Sequence, residues 1–364
     1  MSENPKPLSE LLAERIRREG AIPVAEYMEL AAEAYYKSKN PFGAEGDFIT
    51  APEISQMFGE MIGVWLADIW MQMGRPERVN LLEMGPGRGT LAADILRAIA
   101  AWPDFKSAVT VHLVETSPRL RDIQAEALKG HRVEWHGTFS EVPEGVCLVV
   151  ANEFFDALPV RQFEKADGEW KERCVGYDEE KKSFYFTTAS VDFDIEGWIP
   201  EEFLQAPEGS IFESSPASLC LLDEISVRIS KQGGAALIID YGHDVSGLGD
   251  TLQAVSKHKY ANPLENPGEK DITAHVDFGA FKTVAGKHVS VRGPVMQGQF
   301  LMSLGIGMRA EKLAKNANVR QRQDVMAALR RLLGSSEMGR LFKVMALTRK
   351  KAIIRPAGLG HVIS

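Results

Sequence analysis

The segment Leu81-Leu82-Glu83-Met84-Gly85-Pro86-Gly87-Arg88-Gly89-Thr90 constrains this chain more than any other. An apolar run ends in a glycine-rich turn, and Leu91 to Ala101 then repeats apolar residues at helical spacing. Glycine allows positive φ and lets a ligand approach the backbone closely. Strand, turn and helix in that order open an open α/β sheet, whose ligands sit at the carboxyl ends of the strands. A tight turn with no ligand is the plainer reading. Three alternating glycines, Gly85, Gly87 and Gly89, speak against it.

The spacing separates the ligands that could bind there. A dinucleotide fingerprint is G-x-G-x-x-G, with pyrophosphate on the helix N-terminus. Here the third glycine comes one residue early, and Thr90 stands in its place. Glu83, two residues before the first glycine, is poorly placed beside a pyrophosphate. It suits a ligand that carries an ammonium group, such as the methionine part of S-adenosylmethionine. No Gly-Lys-Ser/Thr follows, so the phosphate-loop pattern fails too. Glu115 ends a second apolar run, where an acid can accept from both ribose hydroxyls. It could equally be a surface acid before the Ser117-Pro118 helix start. This acid does not distinguish NAD from S-adenosylmethionine, so an NAD-dependent oxidoreductase stays as an alternative, disfavoured by the loop spacing.

Around this loop the pattern alternates. Strands are expected at Val79 to Met84, Val109 to Glu115, Arg132 to His136, Val146 to Asn152 and Ala235 to Asp240. Helices are expected at Leu91 to Ala101 and Pro118 to Leu128. Such alternation implies an α/β fold, a mostly parallel Rossmann-like sheet with helices on both faces. Further strands are expected at His288 to Arg292 and Phe342 to Arg349, and a helix capped by Asp277 to Ala285. Upstream, Leu8 to Arg18 and Val24 to Tyr36 read as short helices. Ile54 to Met73 is a long one, whose Met and Trp stripe reads as core packing. The loop between them, residues 40–53, carries Phe42, Phe48 and Ile49 and is expected to be ordered. Glu169 to Tyr177 and Ser183 to Thr188 read as a hairpin, and Ser246 to Thr273 as an irregular insertion. The organisation expected is an N-terminal helical extension over 1–77. A sheet domain over 78–355 follows, with insertions at about 165–232, 245–275 and 296–340.

Composition narrows the partners. Lys plus Arg is 42 and Asp plus Glu is 50, a formal charge of −8, which argues against generic binding to a nucleic-acid backbone. Cys147, Cys174 and Cys220 have neither zinc-site spacing nor an even number for a disulfide framework. His275 lies near Asp271 and Asp277, but no fourth ligand accompanies them, so a hydrogen-bonded histidine is the preferred reading and no metal is expected. No run reaches the roughly 20 apolar residues of a membrane span. Met1 to Glu10 is polar, and the expected location is cytoplasmic.

Several segments together resemble the MidA family of class I S-adenosylmethionine-dependent methyltransferases. That family includes the mitochondrial complex I assembly factor that methylates a protein arginine, and bacterial relatives. The matching segments are Asp47-Phe48-Ile49-Thr50-Ala51-Pro52-Glu53-Ile54-Ser55, the Glu83 to Thr90 loop and Glu115-Thr116-Ser117-Pro118. Further along are Ala151-Asn152-Glu153-Phe154-Phe155-Asp156-Ala157-Leu158-Pro159, Ile239-Asp240-Tyr241-Gly242 and the stretch from Pro267 to Phe278 containing Asp271-Ile272-Thr273-Ala274-His275. The glycine loop is shared by many methyltransferases, whereas the Asn152 to Pro159 and Asp271 to Phe278 segments are far more specific. Two places depart from the pattern: Met296-Gln297, and Ala254, Val255 and Ser256.

The resemblance implies S-adenosylmethionine as cofactor, and Glu83, Gly85, Gly87, Gly89, Glu115 and Asn152 are the candidate residues to hold it. It implies a protein arginine as acceptor, in a subunit of a respiratory NADH dehydrogenase, and a role in assembling that complex. It also implies that Phe342 to Arg349 is antiparallel and inserted beside the fifth strand. On chemistry, a guanidinium is gripped by carboxylates through paired hydrogen bonds. Glu153 is the first candidate for that grip, Asp156 the second, and Glu53 a third from the loop before the long helix. The bland alternatives are a solvated Glu153, a turn-capping Asp156 and a Glu53 that merely begins a helix. A non-catalytic assembly factor with a retained cofactor pocket is the competing function.

Overall fold

A computed structural model describes residues 6–38, 50–191, 193–195, 197–256, 259–315, 317–350 and 352–360. The expected ordered loop falls mostly outside them, since 39–49 are not described. The chain forms two compact units. One comprises Ile49–Phe155, Cys220–Asp244 and Val276–Ser364; the other comprises Met1–Phe48, Asp156–Leu219 and Val245–His275.

The first unit is built on seven strands: β1 (Val79–Met84), β2 (Val109–Val114), β3 (Val133–His136), β4 (Cys147–Asn152), β5 (Gly234–His243), β6 (Ser290–Met296) and β7 (Phe342–Thr348). They lie side by side in the order β3-β2-β1-β4-β5-β7-β6. Leu81 of β1 pairs with Val111 on one side and Leu148 on the other, both parallel. Only β7 runs against the rest, between β5 and β6, with Leu237 opposite Ala346 and Val291 opposite Leu347. All seven expected strands are present, and β7 is the antiparallel one. A two-residue strand, Val276–Asp277, adds an eighth member parallel to the end of β5. β4 is buried at every position, as a strand with helices on both faces must be.

Helices Gln56–Gln72 and Thr90–Ile99 share one apolar core with Leu81, Val111, Leu148, Leu237 and Val344. Ser55 caps the first of them by accepting from the Met57 amide. The two helices approach so closely that a Cβ on Gly59 would stand 2.4 Å from Cβ of Asp94, and one on Gly63 would stand 2.8 Å from Cβ of Ala98. Buried Glu60 faces the Arg309 guanidinium through two bonds of 2.6 and 2.8 Å. That pair ties the long helix to Ile306–Lys315. Asp277 caps Phe278–Ala285 as expected. The helix Pro103–Ala108 was not expected.

In the second unit, helices Leu8–Glu19 and Val24–Ser38 lie in an apolar cluster with Val160, Val175, Ala254 and Ile272. The expected hairpin is present, with Cys174 opposite Thr187. It belongs to a five-stranded antiparallel sheet completed by Arg161–Ala166, Ile211–Ser214 and Ile22–Pro23. The insertion read as irregular contains three short strands, with Gln253–Ser256 central between Lys259–Ala261 and Asp271–Thr273. Burial pushes the thiols of Cys147 and Cys174 up to about 12 and about 11, whereas Cys220 is exposed.

Candidate active site

The carboxyl ends of β1, β2 and β4 bring the expected cofactor residues to one edge. Gly85, Gly87 and Gly89 have φ of 60°, 53° and 80°. Such values suit glycine, and Gly89 is the N-cap of helix Thr90–Ile99. A Cβ on Gly85 would lie 2.7 Å from the Phe154 ring, so the turn is held bare against the segment that follows β4.

Glu83 is 6% exposed. Its carboxyl accepts from the Ala92 amide, but its Oε2 is buried with no hydrogen-bond partner among the described residues. It borders a small apolar cavity lined by Leu82, Ala92, Ile95, Val111 and Val150. Burial pushes its pKa up to about 8, and nearby Asp94 adds to the rise. A carboxyl buried in this way is suited to receive a cation.

Glu115 lies just past β2. Its Oε1 accepts from the Ser117 amide at 2.7 Å, and its Oε2 accepts from Gln124 Nε2 at 3.2 Å. Burial raises its pKa, and those bonds oppose the rise. Gln124 was not foreseen. It is fully buried, donates to the Gly87 carbonyl at 2.7 Å and accepts from Trp135 Nε1 at 2.9 Å. One side chain therefore locks the second acid to the glycine loop. The only sequence signal was a polar residue among the inward positions of helix Pro118–Ala127.

After β4 the chain turns sharply at Glu153, whose φ is +50°. A non-glycine residue in that region is strained, and the surroundings must compensate. They do so through Asp240, which is fully buried at the end of β5. Its Oδ2 accepts from the Phe154 and Phe155 amides at 3.2 and 3.0 Å, and its Oδ1 from the Tyr241 amide at 3.0 Å. Glu153 is not merely solvated. Its Oε1 accepts from the Ala51 amide at 2.9 Å and from Asn152 Nδ2 at 3.1 Å. The Oδ1 of Asn152 is a second buried acceptor with no partner among the described residues.

Glu53 lies in the short helix Ala51–Ile54. It accepts from the Thr90 hydroxyl at 2.5 Å and stands 3.6 Å from Arg88. The short helix therefore joins the glycine loop, through Glu53, to the turn after β4, through Ala51. Asp156 belongs to the second unit, where it is buried and its carbonyl accepts from the Ala274 amide at 3.0 Å. In that unit Tyr36 donates to Asp271 at 3.2 Å, and the His275 amide donates to the Thr251 hydroxyl at 2.9 Å.

Two buried acceptors with no partner among the described residues, Glu83 Oε2 and Asn152 Oδ1, fit a ligand that brings an ammonium and other donors. The bare glycine turn fits its close approach, and the acid ending β2 fits a diol. S-adenosylmethionine has all of these groups.

Comparisons with known proteins agree. The model of a family of S-adenosyl-L-methionine-dependent methyltransferases matches residues 61–295. The protein arginine methyltransferase NDUFAF7 of Homo sapiens, mitochondrial, is 35% identical over 95% of this chain and 84% of that protein. Its Caenorhabditis elegans homolog is 36% identical over 96% of this chain and 88% of that protein. A Burkholderia thailandensis protein solved with S-adenosyl-homocysteine bound has a TM-score of 0.81 at 28% identity, covering 100% of this chain and 97% of its own. The expected cytoplasmic location is overturned, because these curated relatives are mitochondrial proteins. A polar first segment says nothing about the compartment a protein reaches by other signals. Among the described residues, no helix is long and apolar enough to cross a membrane.

Proposed function

Since this chain belongs to the S-adenosyl-L-methionine-dependent methyltransferase family whose model spans residues 61–295, we propose that its acceptor is an arginine side chain of a protein, and that this protein is a subunit of a respiratory NADH dehydrogenase. The observation that carries the reading is the similarity to proteins named as arginine methyltransferases over nearly the whole chain. Glu83 and Asn152 would hold the methionine part of the cofactor, and Glu115, braced by Gln124, its ribose. Bound S-adenosylmethionine supplies a methyl group on a positively charged sulfur, open to in-line displacement.

The protein's own task is alignment. A guanidinium is a weak nucleophile, and fixing one nitrogen at attack distance is worth an effective molarity of about 10⁵ M or more in favourable cases. In this reading Glu153 orients the guanidinium through its carboxylate. Glu53, engaged by Thr90 and Arg88, is a positioning residue that holds the Ala51–Ile54 helix against the loop. The strained turn at Glu153 fixes that side chain's direction on rigid backbone rather than on a flexible loop.

Two measurements test the reading. Mass spectrometry of arginine methylation in cells with and without the gene should show loss of marks on a subunit of the NADH dehydrogenase. If no arginine anywhere loses methyl groups, the acceptor assignment is wrong. Glu153→Gln keeps an amide oxygen for the Ala51 N–H but removes the charge. Methylation of that subunit should fall at least about tenfold while affinity for S-adenosyl-homocysteine changes little. Methylation at the wild-type rate would remove Glu153 from the acceptor role.

A further inference from the structure

His112, Glu134 and His136 form a cluster that the site above does not use. β2 supplies His112, and β3 supplies Glu134 and His136. The parallel register sets His112 opposite Glu134, and strand alternation returns His136 to the same face. The Nδ1 of His112 stands 3.0 Å from Nε2 of His136 and 3.7 Å from Oε2 of Glu134. One ligating atom from each residue falls within 4.8 Å of the others. Metal–ligand bonds of about 2.0–2.2 Å at tetrahedral angles separate ligating atoms by about 3.3–3.6 Å, a spacing that those two distances bracket.

The surroundings suit an ion. Arg132 engages Oε1 of Glu134 at 3.3 Å, leaving Oε2 as the oxygen near the histidine. His112 is almost fully buried, and burial lowers its pKa, which favours the neutral imidazole that ligates. Glu134 and His136 are partly exposed, which gives an ion a way in and solvent a coordination position. All three side chains project from paired strands, so little order is lost on binding. Two imidazoles and one carboxylate are the donor set of zinc-like divalent ions, not of calcium or magnesium, which take oxygen.

We propose that His112, Glu134 and His136 form a binding site for a zinc-class divalent transition-metal ion at the β2–β3 edge of the sheet. The two histidines are 24 residues apart, so no local ligand spacing marks them. The visible clue was Glu134 and His136 at alternate positions of one strand. The His136 carbonyl accepts from the Glu115 amide at 3.0 Å, so the ion would brace the strand end beside that acid.

The test is calorimetric titration of the full chain, stripped by chelator, with zinc chloride, paired with thermal unfolding. The wild type should bind one zinc ion with micromolar or tighter affinity, and its unfolding temperature should rise with zinc. His136→Ala should weaken that site by about a hundredfold or more, at or above the top of the loss seen for outer-shell partners, and Glu134→Gln by about tenfold or more. Both positions are partly exposed, and circular dichroism of the zinc-free variants shows whether they fold as the wild type does. The site is overturned if the wild type binds no zinc at such affinity, or if His136→Ala keeps wild-type stoichiometry and affinity. A Glu134→Gln protein that binds as the wild type overturns the three-ligand set.

Discussion

Glu83 shows how one residue can be both a cost and a function. An apolar side chain would pack better beside Leu82, Ile95 and Val150, and the carboxyl's second oxygen has no partner among the described residues. Its pKa of about 8 in the folded chain lies above the ordinary 4.5. A group raised on folding contributes stability that is fully present below the unfolded value and lost as pH rises through the folded one. The ligand-free protein should therefore lose stability between about pH 4.5 and pH 8 through this group. Glu83→Gln should flatten that slope, which thermal unfolding across the range would read as a difference between the two proteins. The same variant should weaken S-adenosyl-homocysteine by about 1.5–3 kcal/mol, the worth of a hydrogen bond to a charged group. Unchanged affinity would mean that Glu83 is not the ammonium acceptor. The acid itself was legible from its place before Gly85. That Gln124 would clamp Glu115 to Gly87 was not, because that bond joins residues 37 apart.

At the scale of elements, periodicity located the long helix and the strands, and a cap residue located the start of Phe278–Ala285. What periodicity cannot carry is the distance between helices. Gly59 lies on the face of Gln56–Gln72 that meets Thr90–Ile99, and its missing Cβ is what allows the contact with Asp94. Gly59→Ala would set two Cβ atoms 2.4 Å apart, so one backbone must move. The expected loss is about 1–3 kcal/mol, as for overpacking, measured by urea unfolding. Gly307→Ala is the opposite case, because, beyond its chain neighbours and its own helix's backbone, no described residue lies within 4 Å of its added Cβ in helix Ile306–Lys315. It should gain about 0.4–1 kcal/mol. Equal effects at the two positions would show that helix propensity rather than close packing governs Gly59.

For the whole molecule, the identity of the bound nucleoside decides the class of reaction. The short glycine spacing and the buried acid at β1 disfavour a pyrophosphate. A ligand at a hundred times its dissociation constant stabilises the folded chain by about 2.7 kcal/mol. S-adenosyl-homocysteine should raise the unfolding temperature accordingly, and NAD at the same concentration should not. A shift with NAD alone would return the oxidoreductase reading. The formal charge of −8 belongs to this scale too, because an acidic chain attracts a cationic acceptor during encounter.

By itself the sequence determined the strand–turn–helix loop, the alternation that makes the sheet parallel, the two acids at strand ends and the resemblance that pointed to the cofactor. Those features are local: φ freedom at a glycine and periods of 2 or 3.6 residues are properties of neighbours along the chain. Tertiary structure alone decided which groups meet. It set Ala51 on Glu153, Glu53 on Thr90, Asp240 under the turn after β4 and His112 beside His136. A hydrogen bond or a ligand contact depends on separations in space of about 3 Å, and nothing in a local pattern carries that information across a hundred residues.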